Sequence, residues 1–166
     1  MTVASKTPEW LAWQNSLPAV LVDVQQIQGN VSEEEKQINA NIFAYFCTGS
    51  GLTKFPPFNT KISRGFRVVG FSVWEDTEKG SAEGEAVFEI EVTKEMSNVY
   101  GTLHGGCAAV SYFSVAPPGS CRRAACRTTV AAMVLLGRAK GFDGTGVSIT
   151  MNIHWHHAAP LYVSSF

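Results

Sequence analysis

Alternation of apolar and polar residues predicts the strands of this chain. The pattern runs from Glu85 to Val92 and again from Val147 to Trp155. Since successive side chains of a strand point to opposite faces, such alternation indicates strands with one buried face. A further strand is predicted at Phe66–Trp74, and the polar, turn-rich residues 75–84 would join it in a hairpin to the strand at Ala86–Val92. We expect the strand at 147–155 to lie antiparallel in the same sheet.

Two helices are predicted before these strands. The sequence Thr-Pro-Glu at 7–9 reads as a helix N-cap, a first-turn proline and a first-turn acid, and the helix would end before Pro18. Ser32 and Glu35 form a capping-box pattern. Four apolar residues at helical spacing then define a stripe that stops near residue 49: Ile38, Ile42, Phe43 and Phe46.

Composition restricts the possible partners and compartment. The chain has 166 residues, 16% of them charged, and a net charge of −1, which gives no electrostatic case for binding nucleic acid or an anionic membrane. Arginines at 122, 123 and 127 fit a solvated patch better than a phosphate site, although contact with ligand phosphates stays open. No signal-peptide pattern is present, and Leu17–Val24 is too short to span a membrane. We expect an intracellular protein, cytoplasmic or mitochondrial.

The cysteine and histidine positions do not indicate a metal site. Cysteines at 47, 107, 121 and 126 form no C-x-x-C pair and no zinc spacing, so reduced thiols are expected. Histidines at 154 and 156 would share one face of a strand, and 157 follows them, but no third ligand lies at a recognisable spacing. We therefore expect neither a metal nor a cofactor.

The residues at 98–109, Asn-Val-Tyr-Gly-Thr-Leu-His-Gly-Gly-Cys-Ala-Ala, carry the strongest functional signal. Two adjacent glycines at a helix start let a ligand approach the backbone closely. The unpaired N–H groups of the first turn can then polarise a carbonyl oxygen. A glycine-rich turn without chemistry is the alternative. Cys107 would have either a packing role or a thiol pKa lowered by the helix start.

This motif and a later segment, Gly-Val-Ser-Ile-Thr-Met-Asn-Ile at 146–153, resemble the hotdog-fold acyl-CoA thioesterases of the phenylacetate-pathway and thioesterase-superfamily-member-two type. The resemblance covers residues 87–161. It implies an α+β fold in which an antiparallel sheet wraps a central helix, here at 61–166, after a helical N-terminal extension at 1–60. It also implies hydrolysis of a fatty or aryl acyl-CoA by a homodimer or homotetramer.

The resemblance assigns roles to individual residues. The Gly106 N–H would polarise the thioester carbonyl, and His104 would brace the turn and orient Asn98. Asn98 and Ser148 would hold the attacking water. The substrate-binding residues would be Gly105 and Cys107.

The chain also departs from the family. The acid that the family carries on the central helix is replaced by Phe113, and residues 101–142 contain no Asp or Glu. Pro117 and Pro118 would end any helix that begins at His104. We expect an insertion at 110–127, with no packed structure from 114 to 127, and a sheet that lacks its C-terminal strands.

Retained introns would explain both the insertion and the missing C-terminal strands, because the codons for Val110-Ser111 and for residues 161–163 can form splice donors. A diverged paralogue with a real insertion is the alternative. Three functions therefore stay open: a thioesterase of low activity, an acyl-CoA-binding module without catalysis, or a non-functional mis-spliced isoform.

Overall fold

The computed structural model describes residues 7–48, 60–78, 80–107, 113–114, 123–127 and 129–144. Within them the predicted α+β class is confirmed, because helices pack against an antiparallel sheet. The helices are α1 (Glu9–Asn15), α2 (Glu33–Thr48), α3 (Thr60–Ser63), α4 (from Gly105, described to Cys107) and α5 (Thr129–Lys140). The strands are β1 (Arg67–Asp76), β2 (Ser81–Glu91), β3 (Phe113–Ser114) and β4 (Arg123–Arg127). Val24–Gln26 and Lys94–Met96 form short 3-10 helices.

The hairpin of β1 and β2 is present and is longer than predicted. Its register runs from Arg67 opposite Glu89 to Asp76 opposite Ser81, with a bulge between Val68 and Gly70. Residues 81–85 are therefore strand, not connection. These residues do not alternate clearly between apolar and polar, and β1 supplies their backbone partners whatever the side chains are.

The segment after α4 corrects a second expectation. Residues 114–127 were expected to lack packed structure, yet β4 pairs antiparallel with β2, placing Val87 opposite Arg127 and Glu91 opposite Arg123. β3 pairs with β4, which gives the strand order β1-β2-β4-β3. The reason is that β2 offers a second free edge, and backbone hydrogen bonding to that edge requires no apolar alternation.

The sheet core lies between the sheet and the helices α2 and α5. Its buried members are Ile27, Phe71, Ala86, Phe88 and Leu135. Phe43 of α2 stacks on Phe88 of β2, with ring centroids 4.1 Å apart. The helical region predicted at 1–60 thus shares its core with the sheet. A smaller loop core contains Ile90, Met96 and Leu103.

Both predicted helix starts are close to the observed ones. α1 begins at Glu9, so Pro8 is its N-cap residue and Thr7 precedes the cap. In α2, the Ser32 Oγ accepts a hydrogen bond from the Glu35 N–H at 3.2 Å, as the capping box predicts. The Glu35 carboxylate, however, contacts Arg138 of α5. In the part of the chain that the structure describes, no helix is long and apolar enough to cross a bilayer.

A polar network joins α1, α2 and α5. The buried Arg138 guanidinium donates through Nε and Nη2 to the two carboxylate oxygens of Glu35, both at 2.8 Å. Its Nη1 donates to Gln14 Oε1 at 3.1 Å and to Asn15 Oδ1 at 3.0 Å. One guanidinium thus links three helices that are far apart in sequence.

Residues 28–30 cover the outer edge of β1. The Gln28 N–H donates to Val69 O at 2.8 Å, and Gln28 O accepts from the Phe71 N–H at 3.0 Å. The Asn30 amide then pairs with both backbone groups of Val73, at 2.6 and 2.9 Å. This segment satisfies backbone groups that an edge strand would otherwise expose.

Candidate functional site

The loop at 96–104 positions the start of α4. Met96 and Leu103 lie in the loop core and hold the two ends of the loop together. A bridge pairs Ser97 with Leu103, and the His104 N–H donates to Met96 O at 2.8 Å. The helix that follows begins at Gly105, as the sequence predicted.

Asn98 organises the tip of this loop. Its Oδ1 accepts from the N–H groups of Tyr100 (2.9 Å) and Thr102 (3.2 Å), and its Nδ2 donates to Thr102 Oγ1 at 2.8 Å. The turn also contains Gly101 at φ +71°, a conformation that glycine adopts without strain. The structure therefore gives the Asn98 side chain a role within the loop. Its predicted contact with an attacking water stays a prediction.

His104 caps α4. Its Nδ1 accepts a hydrogen bond from the Gly106 N–H at 3.0 Å, so Nδ1 carries no proton in this arrangement. A side chain at position 106 would place its Cβ 3.1 Å from that nitrogen, so the imidazole would have to shift by a few tenths of an ångström. His104, Gly105 and Gly106 are all exposed. The Gly106 N–H can donate to a ligand carbonyl only when the His104 imidazole moves away from it.

Cys107 packs beneath this helix start. The half-buried residue contacts the loop core, and burial raises the pKa of its thiol above the ordinary value. A lowered pKa was the alternative for this residue, and desolvation outweighs any effect of the helix start. The contact with the loop core agrees with a packing role, and the predicted substrate contact of Cys107 stays a prediction.

We expect both described cysteine thiols to react slowly with iodoacetamide in the folded protein. Burial raises the pKa of Cys47 from 9.0 to about 11, against a weaker lowering by a hydrogen bond with Ser63. Below pH 9 this shift of about two units cuts the thiolate fraction about a hundredfold. Mass-spectrometric peptide mapping compares the extent of labelling of each cysteine in the native chain with that in the urea-unfolded chain. Equal labelling of native and unfolded Cys47 would contradict the expectation.

The remaining predicted groups either fall outside the described residues or belong to other elements of the fold. Ser148, the strand at 147–155 and the histidines at 154, 156 and 157 fall outside the described residues. Phe113, at the position of the family's acid, belongs to β3, so this position is not on a helix. Asp143 follows α5, which packs on the sheet core, whereas α4 adjoins the loop core. Among the residues that the structure describes, no three His, Cys, Asp or Glu side chains are grouped to hold a metal ion.

Sequence reasoning missed two features of this site. Thr102 was not singled out, although its hydroxyl completes the Asn98 turn. Val99 and Tyr100 were quoted only as part of the motif, and they are the exposed tip of the loop. An Asn-x-x-Gly turn is the signal that could have located this tip, because such turns place their central residues at the surface.

We compared the chain with known proteins, and no family model, no curated protein and no solved structure matches it.

Proposed function

We propose that this chain binds acyl-CoA thioesters at the start of α4, in a hotdog-type domain that assembles as a homodimer or homotetramer. The observation that supports this is the exposed Gly105-Gly106 pair at a helix start, held by the hydrogen-bonded loop at 96–104. A thioester carbonyl oxygen would replace His104 Nδ1 as the acceptor of the Gly106 N–H. Unpaired N–H groups at a helix start favour the negative charge on such an oxygen.

Binding with little hydrolysis is the form of this function that the residues favour. Hydrolysis needs a base to activate water, and general-base assistance contributes typically about 10²–10⁴-fold. Phe113 stands at the position of the acid and lies in a strand. A thioesterase that takes its base from elsewhere, with Asp143 as the candidate in this chain, is the second possibility.

Titration with S-acetonyl-CoA tests the binding proposal. This thioether keeps a carbonyl two atoms from sulfur and cannot be hydrolysed. Gly106→Pro removes the N–H at the second helical position, where no intrahelical bond is lost, and should weaken binding about fivefold or more, the value of one hydrogen bond. Glu34→Pro is the matched control, because it puts the same ring at the second position of α2. Equal affinities of the two variants, or no binding by the unaltered chain, would contradict the proposal.

Steady-state cleavage of an acyl-CoA separates the two forms of the function. We expect turnover near the uncatalysed rate for the chain as it stands. A Phe113→Asp variant, purified alongside, reports whether a carboxylate at this position can act as the base. Robust turnover by the unaltered chain would show that the base lies elsewhere and would favour the thioesterase.

A further inference from the structure

The side chain of His104 caps the start of α4 through a nitrogen that can take up a proton. Its Nδ1 accepts the hydrogen bond from the Gly106 N–H at 3.0 Å, so the neutral imidazole carries its one proton on Nε2. A protonated imidazole donates from both nitrogens and accepts at neither. Protonation at Nδ1 and the bond from Gly106 therefore exclude each other.

The backbone of His104 does not depend on this bond. Its N–H donates to Met96 O at 2.8 Å, and a bridge pairs the adjacent Leu103 with Ser97. Met96 and Leu103 are also buried in the loop core. Because these contacts hold the chain just before the imidazole, protonation would release the side chain and leave the loop in place. His104 is exposed, so the released imidazole can turn into solvent.

Other charged groups flank the loop core. They are Lys61, Arg64, Glu91, Lys94 and Glu95, besides Arg67 and Glu89, which pair with each other. Within the residues that the structure describes, no hydrogen bond or ion pair joins any of these side chains, the Tyr100 hydroxyl or the Cys107 thiol to the imidazole. The bond from Gly106 is thus the contact of the imidazole that protonation must break.

Two of the neighbouring groups keep one charge state near neutral pH. A hydrogen bond with Thr93 holds the pKa of the Glu95 carboxyl below its ordinary value, and burial raises the pKa of the Cys107 thiol. Neither group therefore changes charge between about pH 5 and 8. Histidine is the residue type that titrates in this range.

We infer that His104 is a proton-controlled cap: the neutral imidazole occupies the Gly106 N–H, and protonation at Nδ1 releases it. The proton comes from solvent and binds the lone pair that accepted the Gly106 N–H, and no covalent bond in the chain breaks. The cap goes beyond the proposed function, and only its consequence for a ligand rests on that function. The N–H that would hold a carbonyl oxygen is free in mild acid and occupied at neutral pH.

The same loop contains a matched hydrogen bond that protons do not release. Asn98 Oδ1 accepts from the Tyr100 N–H at 2.9 Å, across the same spacing of two residues as the bond between His104 and Gly106. An amide oxygen stays an acceptor at any pH in this range. The Tyr100 N–H is therefore an internal control, and His104→Asn supplies a side chain that can form the same turn without titrating.

Amide hydrogen exchange followed by NMR from about pH 5 to 8 tests the cap. Protection is the exchange rate of an unstructured chain at the same pH divided by the observed rate. As the imidazole gains its proton, protection of the Gly106 N–H should fall about fivefold, the value of one hydrogen bond, while that of Tyr100 stays constant. In His104→Asn, protection of Gly106 should not change with pH.

Three results of the exchange experiment would overturn the inference. Constant protection of Gly106 while the imidazole titrates would show that the bond to Nδ1 does not hold this N–H. A parallel loss at Tyr100 would assign the change to opening of the whole loop. A loss that persists in His104→Asn would assign it to another titrating group.

Binding of S-acetonyl-CoA at both ends of the pH range separates the cap from the proposed function. Relative to His104→Asn, the unaltered chain should gain affinity about fivefold in mild acid, because the freed N–H no longer has to leave the imidazole. Titration of the ligand's phosphates affects both proteins alike and cancels in this comparison. If exchange follows the imidazole but neither protein binds, or both show the same pH dependence of binding, the proposed carbonyl contact is wrong and the proton-controlled cap stands.

Discussion

Replacing Glu35 by alanine is expected to lower the free energy of unfolding by about 3–5 kcal/mol, the cost of breaking a buried ion pair from one side. The side chain of its partner, Arg138, is only 3% exposed, so the guanidinium would keep its charge without a carboxylate, with Gln14 Oε1 and Asn15 Oδ1 as its remaining acceptors. Globular domains are stable by about 5–15 kcal/mol, and this single change would remove a large part of that. Urea unfolding followed by circular dichroism measures the loss.

The reverse substitution is expected to cost less. Arg138→Met leaves the Glu35 carboxylate, whose side chain is 35% exposed and remains accessible to water. It also leaves Gln14 Oε1 without its donor, so a cost of about 1–3 kcal/mol for the unsatisfied acceptor remains. The two partners of one salt bridge are therefore unequal, because their burial differs.

A control and a double variant make the test specific. Glu34→Ala removes an exposed carboxylate from the adjacent position of α2 and should change stability by no more than about 0.5 kcal/mol. The double variant Glu35→Ala with Arg138→Met removes both charges and should cost less than the sum of the two single changes. Additive losses would mean that the ion pair contributes no coupling energy and that the network is incidental.

This ion pair shows where the sequence stops being informative. The Ser-x-x-Glu pattern located the start of α2, and the Ser32 half of the capping box is present. The same local pattern assigned the Glu35 side chain to the cap, whereas the carboxylate pairs with an arginine 103 residues away. Periodicity and capping patterns relate residues that are close along the chain. They therefore cannot identify a side-chain partner in a distant helix.

The sequence pattern also located only some of the strands. Alternation located the buried face of β2, with Ala86, Phe88 and Ile90 all in the core. β4 has no such alternation, since its sequence is Arg-Ala-Ala-Cys-Arg, and it was missed. Its pairing depends on the free edge of β2, which is a property of the assembled sheet.

At the candidate site, the sequence located the helix start at Gly105, but not which groups are already satisfied there. Asn98 was singled out for catalysis, and its amide is used by the turn. The Gly106 N–H was singled out as a donor, and His104 accepts it. Local hydrogen bonds of this kind require coordinates, because a motif fixes only residue types and spacing.

Gly29→Ala is expected to be among the most destabilising single substitutions in the described part of the chain, with a loss of about 3 kcal/mol or more in the free energy of unfolding. Gly29 has φ +112°, where an L-residue is strained by about 1–2 kcal/mol. An added Cβ would also lie 1.7 Å from Phe71 O, so the backbone must move. That movement breaks some of the four hydrogen bonds by which residues 28–30 cover β1, at about 1 kcal/mol each.

Gly80→Ala separates the clash from the strain. Gly80 also has a positive φ, +62°, but a Cβ there would meet nothing within 4 Å. It should therefore cost only the strain, about 1–2 kcal/mol. If both substitutions lower the free energy of unfolding equally, the close approach of Gly29 to Phe71 makes no contribution and the edge segment is not held as described.

Gly29→Ala should also change how the protein associates, because it uncovers the edge of β1. With residues 28–30 displaced, the N–H groups of Phe71 and Val73 lose their partners and become available to a strand of another molecule. Asn30→Ala removes the two bonds to Val73 and keeps Gly29, so its aggregation rate should fall between those of the unaltered chain and Gly29→Ala. Light scattering at a denaturant concentration where all three remain folded measures this order. If the aggregation rates of all the variants, Gly80→Ala included, instead follow their free energies of unfolding, then aggregation results from global unfolding and not from the uncovered edge.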